Sequence, residues 1–279
     1  MEACLTRGAV LTDSKGNIRI KAKNNKQDII YGTLTVLALL TVYAFVSFDY
    51  KQLDYTEAFI ESALNIFTMF TQPIAYHFTL AEALQQLLLT VALALLTTVL
   101  GGVVALLLGL LAAKNLTNAK VSNRIKGFVA LIRAVPTVLW VLIFAVSSGL
   151  GSIAAVIGLS FHSVGYLIKC YSEAFEEIDY GVIEALKASG ANWWQIVFQA
   201  VLPASITYLL AWTFIRFEIN FINAVAMGAA AGAGGIGYEL FMAGNFYYNI
   251  REIGYIVYLV LAFTLVLEFF SSRLKASIK

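Results

Sequence analysis

Long apolar runs separated by short polar segments dominate the pattern of this 279-residue chain. With a helical rise of 1.5 Å per residue, about 20 apolar residues cross a hydrocarbon core of about 30 Å. Six apolar runs are predicted to be membrane-spanning helices, at about residues 29–48, 87–113, 127–146, 153–169, 201–215 and 253–270. The pattern predicts an all-α integral membrane protein with one six-span domain over residues 29–279, preceded by a polar, basic segment 1–28.

The polar segments between these runs differ in character. Residues 49–82 are mixed and acidic, and "EAFIESALNIFTMF" within them has the periodicity of a helix lying along the membrane interface. Residues 170–200 form a polar connection between the fourth and fifth spans. Within the second span, Gly102 and Gly109 are seven residues apart, so they share a helix face and permit close helix packing.

Composition supports a membrane protein and excludes several other classes. Hydrophobic residues make up 60% of the chain and charged residues 13%, against about 25% charged in soluble domains. The net charge of +2 gives no reason to expect nucleic acid as a partner. The two cysteines, Cys4 and Cys170, are expected to be free thiols, and His77 and His162 are too far apart for a local metal motif, so no metal site is predicted.

The distribution of Lys and Arg fixes the predicted orientation. With the N-terminus inside, fifteen basic residues fall on the inner side, and only Lys51, Arg216 and Arg251 on the outer side, while Arg133 lies within a span. The positive-inside rule therefore predicts a multi-pass protein of the bacterial plasma membrane with both termini and the 170–200 connection in the cytoplasm.

The connection contains "IEALKASGANWWQIVFQAVLP", residues 183–203. The segment predicts a short helix, a turn at Gly190 and a second helical piece with the apolar Trp193 and Trp194. Such a partly apolar elbow on the cytoplasmic side favours a soluble partner that covers it.

This elbow resembles the signature loop of bacterial ABC importer permeases, in which Glu-Ala-Ala is followed by Gly and, at the end, by Leu-Pro. Leu186 and Ala200 are mild departures from that pattern. In the family, this loop is the coupling helix that docks on the ATPase subunit. The resemblance implies that role here for Glu184, Ala185, Gly190, Ala191, Asn192, Trp193, Leu202 and Pro203.

The resemblance is to phosphonate-type permeases in particular and covers about residues 131–240. It is carried by "IRAVPTVLWVLIF", "FHSVGYLIKCYSEAFEEID" and "RFEINFINAVAMGAAAGAGGIGYEL". Where the family usually has an arginine soon after the asparagine, this chain has Ile222, so no role of that arginine can be transferred.

The resemblance implies a six-helix transmembrane bundle of the ABC type I importer permease kind, which forms the pathway for phosphonate or a related phosphorus oxyanion such as phosphite or a phosphate ester. The implied partners are a pair of cytoplasmic ATPase subunits, an extracytoplasmic substrate-binding protein, a second permease copy or paralogue, and membrane lipid. The chain has no GxxxxGK[ST] motif, so ATP and magnesium are expected on the ATPase subunits and no cofactor in this chain.

Residues of the fourth span supply one set of pathway candidates. His162, Lys169, Glu173 and Glu176 fall within an arc of about 60° on a continuous helix. Ionisable groups at membrane depth usually face the bundle interior or a water-filled path. For Lys169 and Glu173 we favour simple anchoring of the helix end, whereas His162 fits either a pathway role or a structural hydrogen bond.

Arg216, Glu218 and Asn220 are a second set, expected at the outer end of the fifth span, where an incoming oxyanion arrives first. A local Arg216–Glu218 salt bridge is the alternative. Arg133 is expected to extend to the cytoplasm and His77 to be a solvated interfacial residue.

The run "AGAGGIG", residues 231–237, matches the GxGxxG fingerprint of dinucleotide sites. That fingerprint requires a preceding buried strand and a βαβ unit, which the flanking sequence does not predict. We therefore interpret Gly232, Gly234, Gly235 and Gly237 as packing residues between two spans or as a gate at the outer mouth of a pathway.

Other functional classes are left open. A same-fold permease for methionine or a metal is the nearest alternative, followed by an ion-coupled secondary transporter and a membrane enzyme. No HExxH or GxSxG motif occurs, so catalysis within this chain is not expected.

Overall fold

The computed structural model describes residues 25–47 and 54–277, and these residues form helices with no strand. The predicted basic segment 1–28 lies mostly outside this range. The chain divides into two units, residues 1–59 and 60–279. In the first unit, α1 (Asn25–Ser47) is apolar on all sides, and its hydroxyl groups donate to carbonyls four residues earlier, as Thr33 does to Ile29.

The remaining helices follow in chain order: α2 (Tyr55–Thr71), α3 (Leu80–Ala112), α4 (Ala119–Ala134), α5 (Thr137–Ser148), α6 (Ser152–Glu176), α7 (Tyr180–Ala188), α8 (Trp193–Ile196), α9 (Leu202–Ala231), α10 (Ile236–Asn245) and α11 (Ile250–Ser277). A π-helical turn, Val197–Val201, joins α8 to α9. Side chains cap the N-termini of several helices. Before α3, Thr79 and Glu82 form a capping box, in which each side chain accepts from the backbone N–H of the other residue.

Five of the described helices are long and apolar enough to cross a membrane, and the α4–α5 pair makes a sixth if it is one span. This pair occupies the place of the expected span 127–146 but bends by 89° between the two helices. Pro136 causes the break, because it has no N–H to donate and it stands immediately before α5.

Two other helices extend past their predicted ends. α6 continues from the expected end at residue 169 to Glu176, so the first part of the 170–200 connection is helical. α9 continues from the expected end at residue 215 to Ala231. This second difference changes the depth at which the polar residues of α9 lie.

Helices α3, α6 and α9 pack together at the centre of the second unit. A Cβ atom on Gly101 would lie 2.7 Å from Ser163 Cβ, and one on Gly109 would lie 3.1 Å from Tyr171 Cβ. From Gly101 to Gly109 the chain advances eight residues along α3, and the contact in α6 advances eight residues from Ser163 to Tyr171. The two helices therefore run in the same direction. The expected close packing at Gly109 is confirmed, whereas Gly101 approaches α6 more closely than Gly102 does.

Candidate functional site

Five polar side chains meet where α3, α6 and α9 pack together. This central polar cluster consists of Thr98 from α3, His162 and Ser163 from α6, and Arg216 and Asn220 from α9. Arg216 is 1% exposed and is among the largest fully buried side chains of the described residues. The cluster is therefore a polar site enclosed by the bundle.

Hydrogen bonds connect every member of the cluster. Asn220 Nδ2 donates to Thr98 Oγ1 at 2.8 Å and to Ser163 Oγ at 2.9 Å. Arg216 donates from Nε to Ser163 Oγ at 3.0 Å and from Nη2 to His162 Nδ1 at 3.1 Å. Because arginine can only donate, His162 accepts this bond on an unprotonated Nδ1.

Arg216 has no carboxylate partner among the described residues: its hydrogen-bond acceptors are neutral, and its guanidinium lies 5.2 Å from the centre of the Tyr166 ring. A guanidinium is a permanent cation, and an uncompensated charge inside a membrane bundle is costly. The arrangement favours an anion that approaches Arg216.

The structure corrects two expectations for α9. Arg216 and Asn220 lie in the middle of a 30-residue helix rather than at its outer end. The alternative Arg216–Glu218 salt bridge is not formed within the described chain, since two residues turn a side chain by about 200° around a helix. Glu218 Oε1 is buried and has no hydrogen-bond partner among the described residues.

The four ionisable residues predicted to share one face of α6 have different partners. Lys169 Nζ lies 3.5 Å from Glu173 Oε1, and both side chains are about half exposed, as anchoring of the helix end predicts. Glu176 instead accepts from Lys126 Nζ and from the Lys114 backbone N–H, both at 2.7 Å. Only His162 belongs to the central polar cluster.

The elbow of the 170–200 connection consists of α7, a turn at Gly190 and α8, as the sequence predicts. Gly190 has φ of +86°, a conformation that favours glycine. Ile183 and Ile196 are buried in the core, which attaches the elbow firmly to the bundle. Trp193 Nε1 donates to the Leu116 carbonyl at 3.0 Å and so links the elbow to the segment after α3.

Apolar side chains are exposed on the surface of the elbow and of the π-helical turn that follows it. Trp194 on α8 and Phe198 in the π-helical turn that follows it are 56% and 62% exposed, and their rings stack with centres 5.9 Å apart. Of the residues implied in coupling, Glu184 and Ala185 are also exposed. The elbow therefore presents a rigid, partly apolar surface.

The glycine run forms a tight reversal between α9 and α10. Gly232 ends α9 with φ of +61°, and Gly234 and Gly235 also have positive φ. A Cβ atom on Gly237 would overlap the Val225 carbonyl, which shows why α10 can fold back on α9. A helix rather than a strand precedes the run, so this is not a dinucleotide site. The packing requirement is evident, and the gate remains a prediction.

The His77 side chain is 44% exposed, as expected of a solvated interfacial residue, but it also has a buried ion-pair partner that the sequence did not indicate. The Glu252 carboxylate, 0% exposed, accepts from His77 Nδ1 at 2.8 Å and from the backbone N–H groups of His77 at 2.8 Å and Tyr76 at 3.0 Å. The His77 ring also stacks on Tyr247 at 3.7 Å. No local sequence pattern indicates this arrangement, because Glu252 lies 175 residues from His77.

Ser163 and Thr98 are the functional candidates that the sequence pattern missed. Both are small hydroxyl residues within apolar runs, where such residues commonly bond to their own helix. Ser163 could have been identified because it is adjacent to His162, whereas no neighbouring residue distinguishes Thr98 from the other hydroxyl residues of its apolar run. Cys170 is a buried free thiol, as expected, and Cys4 lies outside the described residues.

Comparisons with known proteins agree with this architecture. Residues 105–278 match the family described as binding-protein-dependent transport system inner membrane component. The chain is 35% identical to a phosphate-import permease protein of Mycolicibacterium smegmatis over 54% of this chain and 29% of that one. It is 31% identical to a phosphite transport system permease protein of Stutzerimonas stutzeri over 68% of this chain and 69% of that one.

A solved structure shares the fold. The chain of a methionine ABC transporter in an inward-facing conformation aligns with a TM-score of 0.63 and 25% identity, over 72% of this chain and 96% of that one. The expected type I importer permease fold is thereby confirmed. The matched family segment, 174 of 279 residues from 105 to 278, contains the elbow, most of the central polar cluster and the glycine reversal. The chain belongs to the family of binding-protein-dependent transport system inner membrane components.

Proposed function

We propose that this chain is the permease subunit of an ATP-driven importer and that its bundle carries phosphonate or a related phosphorus oxyanion, such as phosphite or a phosphate ester. The observation that carries the solute class is Arg216, a buried cation that no carboxylate neutralises within the described chain. The relatives named for phosphate and phosphite import support the same class.

The central polar cluster suits an oxyanion in transit. Arg216 can offer two parallel N–H groups to two oxygens of a tetrahedral anion, the geometry that makes arginine a preferred phosphate ligand. The anion need not displace a bound carboxylate, because the present partners of Arg216 are neutral. His162 holds the guanidinium in place through its unprotonated Nδ1.

The elbow supplies the coupling in this proposal. Two cytoplasmic ATPase subunits, which hold ATP and magnesium, cover Trp194 and Phe198 of this chain and of a second permease copy or paralogue. Closure of the ATPases draws the elbows together and opens the pathway outward, where a binding protein delivers the solute. Both termini then lie in the cytoplasm, and the glycine reversal acts as the outer gate.

Uptake by cells that depend on this chain tests the solute assignment. Arg216→Gln removes the cation and is expected to lower phosphite uptake at least tenfold, whereas Arg216→Lys retains charge without the paired donors and is expected to keep partial uptake. Arg273→Gln is the control, because Arg273 is exposed beside Phe269 on α11. Membrane insertion is checked for each variant. Wild-type uptake by Arg216→Gln would disprove the role of Arg216.

The same assay includes the competing solute. The fold match to a methionine transporter makes methionine the second candidate. Unlabelled phosphite or methylphosphonate should compete with the labelled oxyanion, and methionine should not. Competition by methionine alone would favour the second candidate.

A further inference from the structure

A second group of cations lines a cavity between α4 and α6, outside the central polar cluster. The cavity has a volume of about 170 Å³. Its polar lining residues are Lys126, Arg133, Lys169, Ser172 and Glu173. At about 30 Å³ for each water molecule, the space holds about six waters, enough for a small tetrahedral oxyanion.

Positive charge exceeds negative charge around this cavity. Lys126 is paired with Glu176 at 2.7 Å, and Lys169 lies 3.5 Å from Glu173. Arg133 has neither an ion pair nor a hydrogen bond to any described residue, so three cations face two carboxylates and one positive charge remains. A bound anion would neutralise this remaining positive charge.

The cavity lies between the central polar cluster and the elbow. The end of α4 packs against Gly165, where an added Cβ atom would be 2.8 Å from Ile132 Cγ2 and 3.5 Å from Arg133 Cγ. Gly165 is three residues after His162 and eleven residues before Glu176, the end of α6, a distance of about 16 Å along the helix. Arg133 therefore lies in the last turn of α4 on the elbow side of His162, with an exposed side chain.

The depth of Arg133 bears on the expectation that it extends to the cytoplasm. Arg133 is one residue before the end of α4 and is exposed, which agrees with a side chain that reaches water. The cavity also gives Arg133 a polar surrounding, because Lys169 and Ser172 line the same space.

We propose that the cavity between α4 and α6 is a second oxyanion site, which receives the solute after Arg216, and that Arg133 is its principal cation. This inference rests on the proposed function. A solute that leaves Arg216 then meets another cation within the bundle instead of uncompensated apolar surroundings, and the electrostatic barrier between the centre and the elbow is lowered. The partly paired Lys169 and Lys126 continue the positive lining toward the elbow.

The test uses the complete transporter in nanodiscs, with radiolabelled methylphosphonate as the probe. Wild type is expected to bind two molecules for each copy of this chain, and Arg133→Gln to bind one and to transport at least fivefold more slowly. Arg124→Gln is the matched control, because Arg124 is an exposed arginine on α4 that does not line the cavity. It should behave like wild type.

Two further arms separate the remaining outcomes. The same phosphate chemistry occurs in anionic lipid headgroups, so binding is compared in neutral nanodiscs and in nanodiscs containing phosphatidylglycerol. If phosphatidylglycerol displaces the second probe molecule and Arg133→Gln transports normally, the cavity is a lipid site and the proposal is overturned. Unchanged stoichiometry in Arg133→Gln also overturns it.

The Arg133→Lys variant controls for the possibility that Arg133→Gln fails to assemble, because it keeps the cation and most of the packing. This variant should retain the second probe molecule with weaker affinity, and its loss of that molecule despite normal assembly would count against charge as the cause. A wild-type transporter that binds and transports no oxyanion would instead refute the proposed function itself.

Discussion

Gly101 and Gly102 are neighbours in α3 but face different surroundings. An added Cβ atom on Gly101 would lie 2.7 Å from Ser163 Cβ, whereas one on Gly102 would have its nearest contact, Tyr171 Oη, at 3.6 Å. Since a Cβ position follows the backbone, only movement of α3 or α6 can relieve the first contact. Gly101 therefore sets the distance between two helices that build the central polar cluster.

We expect Gly101→Ala to lower the thermal unfolding midpoint of the purified protein, and Gly102→Ala to raise it or leave it unchanged. Both replacements gain up to about 1 kcal/mol of helix propensity, but overpacking at Gly101 costs about 1–3 kcal/mol. Equal midpoints for the two variants would show that the α3–α6 contact yields easily. Gly101→Ala should also slow uptake, because it displaces Ser163 from Arg216.

The sequence predicted which residues of α9 act together but not how deep they lie. Arg216 and Asn220 are four residues apart and so share a helix face, and both bond to Ser163. Their depth was misjudged because Arg216, Glu218 and Asn220 themselves interrupt the apolar run that marks a span. Polar residues that other helices satisfy thus look like a span end when only one helix is considered.

At the scale of elements, the elbow was predictable because its signals are local. Gly190 between two short amphipathic segments indicates a turn, and the turn has the positive φ that glycine allows. The bond from Trp193 to Leu116 was not predictable, since it joins residues 77 positions apart. The break before α5 was missed for a different reason: hydropathy counts apolar residues but does not register the bend at Pro136.

Coupling through the elbow is tested by Glu184→Ala combined with Gly190→Pro. Proline fixes φ near −65° and is incompatible with +86° at this position, so the elbow should lose its angle while the spans remain intact. Uptake is expected to fall at least tenfold with normal membrane insertion. Ser189→Ala, an exposed neighbour, serves as the control. Unchanged uptake by the double variant would remove the elbow from the coupling mechanism.

On the scale of the whole molecule, Glu252 joins parts of the chain that are far apart in sequence. Its buried carboxylate accepts from both Tyr76 and His77 before α3, while Glu252 itself lies in the first turn of α11. Such contacts depend on how the helices assemble, so neither hydropathy nor motif spacing could predict them. The family resemblance fixed the bundle, but not this connection.

Glu252→Gln is expected to destabilise the protein by about 2–3 kcal/mol, since a charge-assisted acceptor is replaced by an amide whose NH₂ group faces donors. The thermal unfolding midpoint should fall, whereas Glu268→Gln, at an exposed position of the same helix, should leave it nearly unchanged. A stable Glu252→Gln variant would indicate that the segment before α3 is held by apolar packing alone.

The π-helical turn at Val197–Val201 has a mechanical consequence. It stands between the elbow and α9, so it is the covalent connection through which motion of the elbow reaches Arg216 along the chain. If the turn tightens into an α-helix, the register changes by one residue, and α9 rotates by about 100° and advances by about 1.5 Å. A displacement of the elbow would then rotate α9 and shift it along its axis, which withdraws the guanidinium from His162.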